Sequence, residues 1–224
     1  VGPVVQLAGE SSVGSGVLLP SHPHADGGYR TIVLTAWHVV RDIQGDPPDL
    51  EMPVPVQIYR EDGTTRQEHA KLLAHDPKLD AALLEILTPD ALDFGARLAR
   101  RSRLDETCIF DPVVAVGCPL GNDPIPTRGE IATCNHEVDG ERYWMINAPT
   151  YIGNSGGGIF ASGTHELLGI FSKIYTHGSL RPTIVPHMGL VTPMSKIYDW
   201  FAEVGYGELI PREAHADEAA HTGQ

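Results

Sequence analysis

Ser155 stands among four glycines in the stretch NAPTYIGNSGGGIF, residues 147–160. Glycine has no Cβ and adopts positive φ without penalty, so a run of it around a hydroxyl removes bulk and lets other groups approach the backbone. A Gly-Ser cluster is most simply a turn, and three chemical readings compete with that one. A phosphate loop needs a lysine followed by Ser or Thr at the start of a helix, and this stretch has no lysine. Gly153 to Gly157 also fit the G-x-S-x-G elbow, in which a helix follows the serine directly. The residues that follow, GGGIFASGTHELLGIFSKIY, are glycines and two β-rich apolar runs around a turn, which speaks against a helix. There remains a loop that turns its amides inward around a nucleophilic serine. Such a serine is a weak nucleophile until a base takes its proton, and that base is most often a histidine held by a buried carboxylate.

Of the 11 histidines, His38 is distinguished by its setting. YRTIVLTAWHVVRD runs as a β-branched strand up to Thr35, and His38 follows where a rigid strand end can aim a side chain into a cleft. The carboxylate candidate is Asp80, placed before the apolar run of HDPKLDAALLEI, with Asp76 as the substitute. Periodicity alone favours a different reading there. Leu79, Ala82, Leu83, Ile86 and Leu87 fit a helical period, which would make Asp80 a helix cap.

These residues need elements to carry them. At 224 residues the chain is long enough for one large or two small cores. An apolar content of 42%, with 24 glycines and 18 prolines, suits many short strands joined by turns. The β-like runs GSGVLL, YRTIVLTA, VPVQIYR, AKLLAH, VVAVGC, GEIATC, RYWMINA, LLGIFSKIY and MGLVT recur along the chain and predict an all-β barrel or sandwich. A polar, basic stretch, 88–107, divides the runs into two halves. Its arginines Arg97, Arg100, Arg101 and Arg103 are read as a solvated face. PMSKIYDWFAEVG has helical spacing from Met194 to Val204, and the polar residues beyond it predict disorder.

Bulk properties narrow the function classes. A net charge of −13 argues against nucleic acid and anionic lipid as partners. No apolar run approaches the roughly 20 residues that cross a bilayer, and the opening VGPVVQLAGE does not look like a signal segment; the compartment is left open. Cys108, Cys118 and Cys134 show no C-x-x-C spacing, so structural zinc is not expected. Either one Cys118–Cys134 disulfide or free buried thiols fits the sequence.

TAWHVV, LDAALLEI and GNSGGGIF, in that order, resemble the chymotrypsin-like serine proteases, most closely the bacterial high-temperature-requirement branch. GSGVLL is similar to a strand of that branch's first barrel, GCPLGNDPIPTRGEIA to the start of its second, and LLGIFSKI to its substrate-binding strand. The resemblance implies two six-stranded antiparallel β-barrels, residues 1–95 and 108–192; the composition and spacing read above put a linker at 96–107, a helix at 193–205 and a disordered tail at 206–224. The resemblance also implies a Ser-His-Asp triad of Ser155, His38 and Asp80, with Asp80 in a loop leading into a strand. The oxyanion hole would be formed by the backbone of Gly153, Asn154 and Ser155, the Gly153 and Ser155 N–H groups donating. No metal or cofactor is called for, and the partner is a protein or peptide substrate.

The same resemblance places the primary specificity pocket between Pro149, Thr150, Tyr151 and Ile152, then Ile170, Phe171 and Ser172, and finally Met188, Gly189 and Leu190. Pro149 occupies the position where basic-specific relatives carry an aspartate, so cleavage after small or medium apolar residues is expected. Asn154 stands where digestive relatives have the aspartate that receives a new N-terminus, so activation through Val1 is not expected. About 20 residues follow the helix, too few for the PDZ domain common in the branch; a stand-alone protease or part of a larger protein is implied. Two rivals remain: an inactive protease fold used as a binding module, and metal binding by His22, His24, His165, His177 or His187, whose spacing lacks the usual pairings.

Overall fold

The computed structural model describes residues 2–92, 94–178 and 183–213. Fourteen strands and three α-helices are present among them. The strands are β1 (Val4–Ala8), β2 (Val13–Leu18), β3 (His22–Pro23), β4 (Tyr29–Arg30), β5 (Ile32–Thr35), β6 (Val54–Tyr59), β7 (Thr65–Asp76) and β8 (Ala81–Ile86), then β9 (Pro112–Gly117), β10 (Ile125–Val138), β11 (Glu141–Ile146), β12 (Gly158–Ala161), β13 (Leu167–His177) and β14 (Thr183–Pro193). The helices are α1 (Trp37–Gln44), α2 (Arg101–Asp105) and α3 (Met194–Glu203).

Two closed barrels result, in the order β1-β2-β5-β8-β7-β6 and β10-β11-β14-β13-β12-β9, with β3 and β4 pairing as a separate hairpin. Every pairing within them is antiparallel. The expected all-β, two-barrel class is thus the one observed.

The first barrel faces two ways, and strand alternation explains how. Successive side chains of a strand point to opposite faces. Val5, Leu7, Leu18, Val33, Val56, Ala82 and Leu84 fill the barrel interior together with Trp37, Val39 and Val40 of α1. Their neighbours in the same strands, Val4, Val17, Leu34, Ala81 and Leu83, join a second core shared with Val116, Ile159, Ile170 and Phe171 of the other barrel. A strand buried on both faces loses the alternation of polar and apolar residues. Ala81–Ile86 is such a strand, β8, and the helical period read in LDAALLEI is an accident of continuous burial.

The stretch 96–107 is a strap packed against both barrels. The Ala96 N–H donates to the Leu18 carbonyl at 2.7 Å, the Leu167 N–H to the Arg97 carbonyl at 2.7 Å, and the Ala99 N–H to the Leu167 carbonyl at 3.1 Å. Ala96, Ala99 and Leu104 are buried. Arg101 reaches Asp199 at 2.8 Å, Arg103 reaches Asp111 at 3.5 Å and Arg97 reaches Glu166 at 3.8 Å, so three of the four arginines pair with carboxylates on neighbouring elements. Helix α3 buries Met194, Ile197, Tyr198, Trp200 and Phe201 against the second barrel. Beyond it the expected tail is partly ordered: Leu209 is buried and the Ser102 hydroxyl donates to Glu213 at 2.6 Å. Residues 214–224, where the remaining disorder was expected, lie outside the described residues.

Gly156 sits where the barrels meet, with φ of 81°. A Cβ there would overlap the Ser15 carbonyl oxygen and the Thr35 hydroxyl of the first barrel. Gly156→Ala is expected to lower unfolding stability by about 2 kcal/mol or more, combining backbone strain with the collision. Urea unfolding measures it; a loss under about 0.5 kcal/mol, the usual range of a surface change, would contradict this seating of the barrels.

Candidate active site

Strand β5 ends at Thr35, and α1 begins two residues later with Trp37, so His38 is fixed in the first turn of a helix whose inner face is held in the first barrel. Asp80 is brought to it by a turn. Asp76 accepts the N–H groups of Lys78 and Leu79 at 2.8 and 2.9 Å, and Asp80 then takes a left-handed φ of 55° immediately before β8. Asp76 therefore shapes the loop, while Asp80 meets the histidine.

Nδ1 of His38 lies 3.0 Å from both Oδ1 and Oδ2 of Asp80, and the His38 backbone N–H donates to Oδ1 at 3.0 Å. From the second barrel, the Ser172 hydroxyl donates to Oδ2 at 2.5 Å. Asp80 is 6% exposed. Burial is the strongest influence on its carboxyl and would raise its pKa. The hydrogen bond and charge of His38, with the Ser172 hydroxyl and the His38 amide, outweigh burial and hold it below the ordinary carboxylate value. Ser172, expected as a pocket wall, is a donor to this carboxylate.

Ser155 lies across the cleft, in the loop before β12. His38, Ser155, Gly153 and Ser172 line one cavity of about 360 Å³, together with Ser12, Val13, Val39, Asp42, Ile152, Lys173, Ile174, Thr176 and Ile184. The Ser155 hydroxyl donates to the Ser172 carbonyl at 3.3 Å. Among the described residues no hydrogen bond joins it to His38.

The orientation of the loop amides follows from peptide planarity, which sets C=O and N–H of each trans peptide in opposite directions. The Ile152 carbonyl accepts from Leu120 N–H at 2.8 Å, which turns the Gly153 N–H the other way; the Asn154 carbonyl accepts from Gly157 N–H at 2.8 Å, which does the same for the Ser155 N–H. Neither the Gly153 nor the Ser155 amide donates to any described residue. Asn154 differs from the expectation for it: its N–H is taken by the Tyr151 carbonyl at 3.0 Å. Gly153 has φ of 96°, and a Cβ there would lie 2.6 Å from the Cys118 carbonyl oxygen and 2.7 Å from the Leu120 nitrogen. Two anchored carbonyls and one obligatory glycine thus leave a pair of unpaired donors beside a hydroxyl.

The profile of the trypsin-like peptidase domain matches residues 14–170. The chain belongs to the trypsin-like peptidase family. Relatives of this trypsin-like peptidase include a probable periplasmic serine endoprotease DegP-like of Ectopseudomonas mendocina, 30% identical over 168 residues, or 74% of this chain and 30% of that one. The periplasmic pH-dependent serine endoprotease DegQ of Escherichia coli is 31% identical over 170 residues, 74% of this chain and 32% of its own. The chain spans about a third of the length of these relatives. In fold it is similar to the crystal structure of Deg5, with a TM-score of 0.69 at 20% identity, covering 92% of this chain and 90% of that one.

Other expected residues of this trypsin-like peptidase fall as follows. Ile152 lines the cavity beside Ser155, whereas Pro149, Thr150, Tyr151, Ile170, Phe171, Met188, Gly189 and Leu190 do not. Lys173, Ile174, Thr176 and Ile184 line it without having been singled out from the sequence; a residue count along LLGIFSKIYT past Ser172 was the available signal for the first three. All three cysteines are free. The buried Cys118 thiol is pushed up to about 12, chiefly by burial, which makes it a poor nucleophile. No cluster of three or more His, Cys, Asp or Glu side chains among the described residues could hold a metal ion. Val1 lies outside the described residues.

Because Asp80 has a lowered pKa when folded, it contributes stability fully above the ordinary carboxylate pKa near 4, and that contribution disappears as pH falls through the lowered value. Melting temperatures between about pH 2 and 7 test this. Wild type is expected to lose its advantage over Asp80→Asn only below about pH 4; a constant difference down to about pH 2 would contradict the assignment.

Proposed function

We propose that the chain is a serine endopeptidase in which Ser155 attacks the peptide carbonyl, His38 takes its proton and passes it to the leaving amine, and Asp80 holds and stabilises the imidazolium. The observation that carries this reading is a part-buried His38, paired with the buried Asp80, that shares one cavity with the Ser155 hydroxyl beside two unpaired amides. Attack forms a tetrahedral intermediate with negative charge on the former carbonyl oxygen. The Gly153 and Ser155 N–H groups would receive that charge, and losing one such donor typically costs about 10² to 10³ in rate. Collapse releases the amine and leaves an acyl group on Ser155, which water removes by the same steps in reverse order.

The family match and the endoprotease names of the relatives support peptide hydrolysis. The hydroxyl bond from Ser155 to the Ser172 carbonyl is the one observation on the side of a non-catalytic binding module. It weighs little, since one χ1 rotation redirects the hydroxyl and such bonds often tighten only when substrate is bound.

A preference for a small or medium apolar residue before the scissile bond is supported by the three segments named as the primary pocket. They touch one another. A Cβ on Gly189 would lie 2.6 Å from the Phe171 ring and 3.2 Å from the Thr150 hydroxyl and methyl. Phe171 is 1% exposed and Thr150 4%. The buried Phe171 ring would then limit the length of the substrate side chain accepted there.

Fluorophosphonate labelling tests the activity: wild type is expected to label at neutral pH, and Ser155→Ala and His38→Ala are not. Unlabelled wild type would support the binding module. Phe171→Ala is expected to raise kcat/KM for leucine or phenylalanine before the cut by about 10-fold relative to alanine, the scale of one or two methylenes in a pocket. An unchanged preference in a peptide library removes the proposed role of Phe171.

A further inference from the structure

We infer that Ser15, a residue of the first barrel, is the positioning residue for the oxyanion loop of the second. The inference rests on the serine peptidase reading above. Ser15 lies in β2, is completely buried, and uses all of its hydrogen-bonding groups. Its hydroxyl donates to the Gly153 carbonyl at 2.7 Å and accepts the Cys118 N–H at 2.8 Å. Its backbone N–H donates to the Ser155 carbonyl at 2.7 Å. Its carbonyl accepts the Thr35 hydroxyl at 2.7 Å, from the end of the strand that leads to His38.

The two carbonyls it holds belong to the two residues whose N–H groups face the cleft. Rotation at Gly153 is the freest in the loop, since glycine opposes neither sign of φ. The Leu120 N–H, bound to the Ile152 carbonyl, fixes the peptide that carries the Gly153 N–H, and the following peptide is held by the Ser15 hydroxyl at the Gly153 carbonyl and by the Tyr151 carbonyl at the Asn154 N–H. With both ends tied, the Gly153 N–H has one direction. The same hydroxyl anchors Cys118, two residues before the Leu120 amide that ties the Ile152 carbonyl. One side chain therefore supports both ties.

Removing the hydroxyl strands the Gly153 carbonyl and the Cys118 N–H in a buried setting. With Cys118 released, the Leu120 N–H loses its backing, and the 152–153 peptide it ties, which carries the Gly153 N–H, can turn, misdirecting an oxyanion donor while Ser155, His38 and Asp80 stay in place. An interaction made only with the developing oxyanion affects kcat and transition-state analogues, and leaves ground-state binding alone.

The test compares wild type with Ser15→Ala, Ser15→Cys and Tyr198→Phe. The last removes a buried hydroxyl bond of 2.7 Å from α3 to the Ala99 carbonyl of the strap, and serves as a control for destabilisation alone. Peptide hydrolysis and inhibition by a peptide aldehyde matched to the preferred substrate are measured per folded molecule, with folding followed by near-UV circular dichroism. Ser15→Ala is expected to lower kcat by about 10- to 100-fold at nearly constant KM and to weaken the aldehyde in the same proportion. Ser15→Cys, a weaker donor of similar size, is expected to fall in between, and Tyr198→Phe to match wild type. Folded Ser15→Ala or Ser15→Cys with wild-type kcat and aldehyde affinity overturns the role of Ser15. So does a loss in kcat that Tyr198→Phe reproduces. Wild type without hydrolysis or labelling would instead overturn the peptidase reading.

Discussion

A carboxylate withdrawn from water must be met by donors, or it takes up a proton and becomes neutral. Asp80 is so withdrawn, and its donors come from both halves of the molecule: the backbone and ring of His38 on one side, the Ser172 hydroxyl on the other. Its full set of donors is therefore assembled only when the barrels are seated together. The Thr192 hydroxyl, donating to the Leu79 carbonyl at 3.2 Å, ties β14 to the loop that carries Asp80. The charge that orients the histidine is thus also a lock between the barrels.

The loop around Ser155 obeys a complementary rule. Asp80 is satisfied by every group near it, whereas the Gly153 and Ser155 amides are left without partners by tying down the carbonyls around them. Unpaired polar groups at a cleft are tolerated only where neighbouring backbone is over-determined. Here the ties come from Leu120, Gly157, Ser15 and Phe171. Leu120 itself holds a left-handed φ of 55°, uncommon for a branched side chain, so some strain is stored in one of the anchors.

Much of this was legible in the chain. Short β-rich runs separated by Gly, Pro and Asn marked an all-β molecule, and the glycines around Ser155 marked a loop whose backbone had to come close to something. His38 was legible as a histidine at a strand end. Asp80 was harder, because a strand buried on both faces has no alternation and LDAALLEI imitates a helix by chance. The roles of Ser15 and Ser172 were not legible locally: each acts on a group in the other barrel, 138 positions from Gly153 and 92 from Asp80 in sequence. The burial of Phe171 was hidden for a related reason: resemblance named it as a pocket wall, and only packing shows that its ring is 1% exposed.

The strap between the barrels has an effect on how the molecule must fail. Its backbone is hydrogen-bonded into Leu18 on one side and Leu167 on the other, so it acts as a spacer and not a hinge. Opening the cleft means breaking those bonds together with the apolar seam beneath them, and no soft intermediate opening is available. The groups that face each other across the cleft therefore part only when the shared core does. On heating, integrity of the cleft and secondary structure should be lost in one transition.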